Sequence, residues 1–435
     1  MSALLVALLV SLPALASDPP KLPVVPPEEA GMDARILAGI DPLVTAAIAA
    51  GEMPGCVVCI GRQGKIVLLK AYGDRQVEPE RVPTTTTTVY DLASLTKPIA
   101  TATSVMRLVE NGKLDLSDPA ASYLPDFGAS GKQGVTVYHL LTHQSGLVAD
   151  NPLSDYVDGP EKAWQRIFAL DLRGPPGERF IYSDVGFLVL GEIVRRVSGQ
   201  PLGEFARQRI FEPLGMHETG FRPSAELRSR AAPTEQRDGE WMQGKVHDPR
   251  AWLLEGVAGH AGLFSTATDL ATYAQMMLGG GEYQGVRILK PETVVRMTEP
   301  YPLPRGRRGL GWDMRTGYSK NRGRTFSPQA FGHGGFTGTS LWIDPELELF
   351  VIFLSNRLHP DGQGSVNPLA GEIGTLAADA IRDRGQGDVL TGIDILRREG
   401  FRRLEGRRVG LITNQTGIDR RGTSTANLLH QALEV

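Results

Sequence analysis

Cysteine is nearly absent. Of 435 residues only Cys56 and Cys59 are cysteines. Both fall in an expected strand, where residues three apart point to opposite faces, so a bridge between them is not expected. No second pair or nearby histidine completes a C-x-x-C metal or redox site. An excess of one charge is also missing. Lys and Arg number 46 against 49 Asp and Glu, a net charge of −3, so there is no basic footprint for nucleic acid and no polybasic membrane patch. The G-x-S-x-G of an α/β-hydrolase elbow does not occur, which leaves that fold unsupported. Short metal-ligand spacings are lacking too. His247, Asp248, His260 and Glu235 crowd one polar stretch, and loop-organising hydrogen bonds or substrate contacts are preferred there to a metal. No cofactor is expected.

What is present is ordinary for a globular chain: 41% hydrophobic and 22% charged residues. The apolar run over 1–16 ends Ala14-Leu15-Ala16 and matches a secretory signal, too short for a standard membrane span. Export to the periplasm or the exterior is therefore expected, with an N-terminal anchor as the rival. A Pro-rich, extended lead over 17–31 follows. Asp33 to Ala50 has helical periodicity. Gly55–Ile60, a Gly61–Gly64 turn and Lys65–Tyr72 read as an antiparallel hairpin. Thr84–Thr88 is β-prone. Helices are expected over 99–110, 135–142, 161–170, 185–198, 202–212 and 267–278, around an irregular stretch at 231–262. Strands return at 339–343 and 348–354, then a helix near 367–383. Strands at both ends with helices between predict an α/β (α+β) unit interrupted by a mainly helical insertion, with the site between the two parts.

The stretch Asp91-Leu-Ala-Ser94-Leu-Thr-Lys97 carries the chemistry. No other serine has a lysine three residues on. Pro98 fits only the first turn of a helix, and Asn111-Gly112 reads as its stop. Ser94 therefore sits at a helix N-terminus that favours developing negative charge. Residues i and i+3 share a face, so Lys97 reaches the Ser94 hydroxyl. A serine activated by a basic neighbour at an anion-favouring site is the layout of nucleophilic acyl transfer. Further on, Tyr182-Ser183-Asp184 precedes an apolar helix that Ser183 or Asp184 would cap. Later still, Gly332-His333-Gly334-Gly335-Phe336 enters a strand, and glycines at a strand edge allow a ligand close to the backbone.

In this order Ser94-x-x-Lys97, Tyr182-x-Asp184 and His333-Gly-Gly335 resemble the serine β-lactamase and penicillin-binding-protein superfamily. The middle tyrosine resembles the class C branch with its esterase and D-peptidase relatives. Pro54-Gly55, Gly112–Asp118 and His139-Leu-Leu-Thr-His-Gln-Ser-Gly146 add to the likeness, which spans roughly 30–385. Gly244–Asp248 and Gly256–Phe264 resemble a subgroup holding N-acetylmuramyl-L-alanine amidases and a weak D,D-carboxypeptidase. The resemblance implies a transpeptidase-like antiparallel sheet flanked by helices. It also implies catalytic Ser94, Lys97 and Tyr182, with Asp184, His333, Gly335 and Phe336 binding substrate. The oxyanion hole implied is the N–H of Ser94 with that of Phe336.

Two departures matter. Asp184 stands where relatives often have Asn, and an anion there would keep Lys97 protonated. His333 stands where many relatives have Lys, and a neutral imidazole would bind a substrate carboxylate weakly. The expected layout is a signal at 1–16, a lead at 17–31 and a hydrolase domain at 32–385. Its α/β part spans 32–88 and 290–385, and its helical part 89–289. From 386 to 435 a linker leads into a short helix, a strand Arg408–Thr413, a turn Asn414–Gly417 and a helix start near Thr425. About 45 such residues cannot bury a core alone, and they resemble the opening of exo-β-N-acetylmuramidases. The expected function is an exported serine hydrolase acting on amide or ester bonds of muropeptides. The rivals are a promiscuous carboxylesterase and a non-catalytic penicillin-binding sensor. The expected partner is a small-molecule or muropeptide substrate, with no nucleic acid.

Overall fold

The computed structural model describes residues 18–382 and parts of 392–432, so the apolar run over 1–16 lies outside the described residues. The fold starts from the expected hairpin. Gly55–Arg62 and Lys65–Gln76 pair antiparallel. Their two-residue turn needs positive φ at both positions, and Gln63 (52°) with Gly64 (75°) supplies it. Gly55–Arg62 is buried along its length and pairs on its other side with the equally buried Leu349–Ser355. Segments from the two ends of the sequence thus form the centre of one sheet. Outward from Leu349–Ser355 come Thr339–Asp344, Phe331–Gly335, Asp313–Arg315, Arg307–Arg308 and Tyr301–Pro302, all antiparallel. Val82–Pro83 closes the other edge.

The helix Ala267–Leu278 packs on the central strands. Asp184–Ser198 packs against Thr103–Glu110 and Val137–Leu141. It is nearly all apolar over Val185–Val194, and those residues are buried, as expected of a helix enclosed on every side. Gly199, at φ 76°, ends it.

Several expectations need correction. Thr84–Thr88 forms a turn and not a strand, because the Thr88 hydroxyl accepts the Thr85 N–H at 3.0 Å and folds the run on itself. The helix expected over Asp33–Ala50 is split into Ala34–Leu37 and Ile40–Ala49, with Gly39 at the break. The helix expected over 202–212 passes from α (Leu202–Ala206) into a π turn (Arg207–Phe211). A small sheet of Tyr90–Asp91, Leu263–Ser265 and Gly220–Phe221 runs through the part expected to be helical. Cys56 and Cys59 are free and buried, and burial pushes both thiols up.

The chain divides into two units at Ala380/Ile381. In the second, the helices Gly392–Arg398 and Thr425–Ala432 bring Ile393, Leu428 and Leu429 together. Arg408, Gly410, Leu411 and Thr413, within the expected strand, are not in a strand. Residues 414–416 of the expected turn lie outside the described residues. No described helix is long and apolar enough to cross a membrane.

Candidate active site

Ser94 sits on a tight turn, Ala93–Leu95, that opens the helical run ending at Glu110. Ala93 adopts φ 45°, a conformation unfavourable for a side chain with a Cβ. Asp91 holds it there. One carboxylate oxygen accepts the Ala93 N–H at 2.8 Å and the other the His247 N–H at 2.7 Å. From Lys97 to Ala102 the helix is π-wound, a geometry frequent at functional sites. Lys97 is fully buried beneath Ser94. Its Nζ donates to Ser94 Oγ at 2.9 Å and to the His260 carbonyl at 3.2 Å, and pairs with Asp184 at 2.6 Å. Thr101 donates to the adjacent Gly259 carbonyl at 2.6 Å, so one face of this helix grips the 259–260 loop.

Ser183, and not Asp184, caps the second helix. Its hydroxyl accepts the Gly186 N–H at 3.0 Å. That leaves the Asp184 carboxylate for Lys97. Burial alone would lower the Lys97 pKa, but Asp184 and then Tyr182 outweigh it and raise it. Burial pushes the Tyr182 phenol up, against the pull of Lys97. Tyr182 is the wall of the site. Its ring lies 4.9 Å from Lys97 Nζ, between the rings of His143 (4.5 Å, 31°) and Tyr318 (4.9 Å, 33°).

The glycine-rich strand Phe331–Gly335 forms the opposite wall. Thr337 and Thr339 donate to the carbonyls of Asp91 (2.7 Å) and Leu92 (3.1 Å), tying this strand turn to the Ser94 turn. A Cβ on Gly335 would lie 2.2 Å from Thr339 Oγ1 and 2.4 Å from the Leu92 carbonyl, so only glycine permits the approach. Phe336 follows and is 61% exposed. It is stacked on His247 (5.6 Å, 26°), and the Arg357 guanidinium lies 4.7 Å from its centroid. The buried His333 donates from Nδ1 to the Gly334 carbonyl at 2.7 Å, which leaves Nε2 as a bare acceptor. Burial, then Arg308 and Lys97, hold its pKa well below the usual histidine value.

The structure thus gathers Ser94, Lys97, Asp184, Tyr182 and His333 by direct contacts, with Gly335 against the turn that carries Ser94 and Phe336 next to it. Sequence reasoning missed three others. His143 accepts the Ser183 N–H at 2.9 Å and so seats Tyr182 from behind; its segment had registered only as part of a family likeness. Tyr318 covers the outer face of Tyr182. Arg308 is fully buried, 3.8 Å from Asp313, with its guanidinium 6.0 Å from the Tyr182 ring. It brings positive charge to a pocket whose histidine is neutral. The polar stretch resolves into pairs, His247 with Glu235 (2.9 Å) and His260 with Asp248 (2.9 Å). Ligand-type atoms of Asp184, Asp248 and His260 lie within 4.8 Å of one another, but the Lys97 ammonium already neutralises Asp184 there.

This fold, with a serine and a buried lysine in contact at the head of a helix and a glycine-rich strand edge opposite, defines a β-lactamase/transpeptidase-type hydrolase. The chain belongs to the Beta-lactamase family, whose model matches residues 40–374. A Salmonella agona protein, provisionally named a D-alanyl-D-alanine carboxypeptidase, is 33% identical over 401 residues, covering 83% of this chain and 92% of its own. The penicillin-binding-protein homologue of Pyrococcus abyssi is similar in structure, at TM-score 0.63 and 26% identity, over 78% of this chain and 76% of its own. A family VIII carboxylesterase shares the fold at TM-score 0.62 and 22% identity, over 80% of this chain and 95% of its own.

Proposed function

We propose that this chain is an exported serine hydrolase that forms an acyl-enzyme on Ser94 and cleaves amide or ester bonds of bacterial cell-wall fragments. The observation that carries the reading is the Lys97–Ser94 contact of 2.9 Å, with Lys97 held from behind by Asp184 at 2.6 Å. Ser94 Oγ attacks the carbonyl carbon, and the N–H groups of Ser94 and Phe336 receive the oxyanion. Lys97, paired with Asp184, keeps its proton and stabilises the developing alkoxide. Tyr182 carries the proton traffic: its phenol accepts the Ser94 proton as it hands its own to the leaving group. A phenol whose pKa is raised suits that shuttle, since no resting phenolate is required. Water then attacks the acyl carbon by the reverse relay, releasing the acid and restoring Ser94.

The cell-wall substrate is supported by the carboxypeptidase name of the Salmonella relative. A second reading, a carboxylesterase of broad acceptance, is favoured by the neutral His333. Ser94→Ala should lower kcat for a p-nitrophenyl ester by at least about 10³-fold while the circular dichroism spectrum is kept. Intact-protein mass spectrometry should show the acyl adduct on wild type only. Near-wild-type turnover in Ser94→Ala sinks the assignment. Release of peptide from a MurNAc-peptide, or of its terminal D-alanine, supports the cell-wall reading, and ester turnover alone supports the second.

A further inference from the structure

Behind Lys97 the charges alternate. Lys97 Nζ is 2.6 Å from Asp184. Ligand-type atoms of Asp184, His260 and Asp248 lie within 4.8 Å of one another, and His260 Nε2 is 2.9 Å from Asp248 Oδ1. Asp248 is fixed in turn, because the same oxygen caps the helix Pro249–Leu253 by accepting the Ala251 N–H at 2.7 Å. His260 is 1% exposed, and its own carbonyl accepts from Lys97 at 3.2 Å. Imidazole and carbonyl of one residue therefore serve both ends of the Lys97–Asp184 pair.

We propose that His260, with Asp248, is a positioning residue whose imidazolium balances the extra negative charge of Asp184 and so keeps the Ser94 pocket receptive to an oxyanion. The proposal rests on the acyl-transfer reading above. With His260 charged, Lys97, Asp184, His260 and Asp248 sum to zero. With His260 neutral they sum to −1, a few ångströms from the carbonyl that must become an anion. The other charged groups facing the cluster are Asp150 and Arg250, 3.6 Å apart and paired with each other, and the buried Asp91, whose carboxyl faces Asp248 while it holds the Ala93 and His247 N–H groups. None of them titrates in place of His260, so the difference of one charge between its two forms stands.

Burial would lower the His260 pKa, but Asp248 and then Asp184 outweigh it and raise it above the ordinary value of about 6.5. The charged form, and the activity that depends on it, is present below that ordinary value and is lost as pH rises through the raised one. kcat/KM for a neutral ester should therefore show an alkaline limb that belongs to His260.

Profiles of kcat/KM between about pH 5 and 10 on the full chain would test this, with Ser94 acylation followed by intact mass in every variant. His260→Gln keeps a donor toward Asp248 and cannot titrate. It should lose roughly tenfold at pH 6 and lack the limb, the order expected of one charge at this range in a partly screened interior. Asp248→Asn keeps the helix cap and should move the limb to lower pH, which keeps the test open if His260→Gln does not fold. Adding Asp184→Asn to His260→Gln should recover part of the loss, because the charge to be balanced is gone. A His260→Gln profile that retains the limb, an equal loss at every pH with the limb in place, or an unmoved limb in Asp248→Asn would overturn the proposal. Failure of wild type to acylate at Ser94 would instead overturn the acyl-transfer reading.

Discussion

His333 shows how much one side chain's surroundings decide. By type it titrates near neutrality. Here its Nδ1–H is committed to the Gly334 carbonyl, and burial with two nearby cations disfavours a second proton. Its folded pKa is depressed, so the imidazole gains charge only well below the ordinary range and is neutral throughout pH 6–7. No acid limb in that window should be traceable to His333. The check is to compare kcat/KM profiles of wild type and His333→Gln on a neutral ester. A limb in that window that vanishes in the variant would contradict the assignment. The neutral imidazole agrees with the premise from which weak carboxylate binding was expected, but Arg308 adds a buried cation that the expectation did not include. Arg308 could not be foreseen, because it lies in a two-residue strand far from every motif and reaches Tyr182 only once the sheet has formed.

At the scale of elements, the site depends on one strand turn touching one helix turn. The Asp91 and Leu92 carbonyls accept from Thr337 and Thr339, and Gly335 leaves no gap between. Gly335→Ala must push the strand away from Ser94. It should cost about 10²–10³-fold in kcat, the usual value of an oxyanion donor, with a smaller change in KM. Phe336→Ala keeps the main-chain N–H and removes only the exposed ring held by His247 and Arg357. It should raise KM several-fold for bulky or aromatic substrates with kcat nearly unchanged, the signature of uniform binding. Steady-state kinetics on a small and an aryl ester separate the two. Equal effects of both variants on kcat would mean that the ring, and not the approach of the backbone, shapes the site.

For the whole molecule, what was legible in the sequence is what lies close together along the chain. Ser94 and Lys97 meet because they are one turn apart, and Asp184 points inward because Ser183 takes the cap. The central hairpin was visible as two β-prone runs on either side of the Gly61–Gly64 segment, of which the turn itself uses Gln63 and Gly64. The edge strands Tyr301–Pro302, Arg307–Arg308 and Asp313–Arg315 were not, since two or three residues carry no period to read. Every residue of the site, from Asp91 through Arg357, belongs to the first unit, which holds the large sheet and its helices. The described part of the second gathers a few apolar side chains around two short helices. A chain ended within the polar stretch Gly385–Gly392 should therefore hydrolyse the ester with kcat/KM within about twofold of the full chain, as expected when a compact unit carries its own core. The measurement is ester kinetics and thermal unfolding of the shortened and full chains side by side. A large loss of kcat/KM with unchanged unfolding would show that the second unit completes the site, and a joint loss of both that it completes the fold.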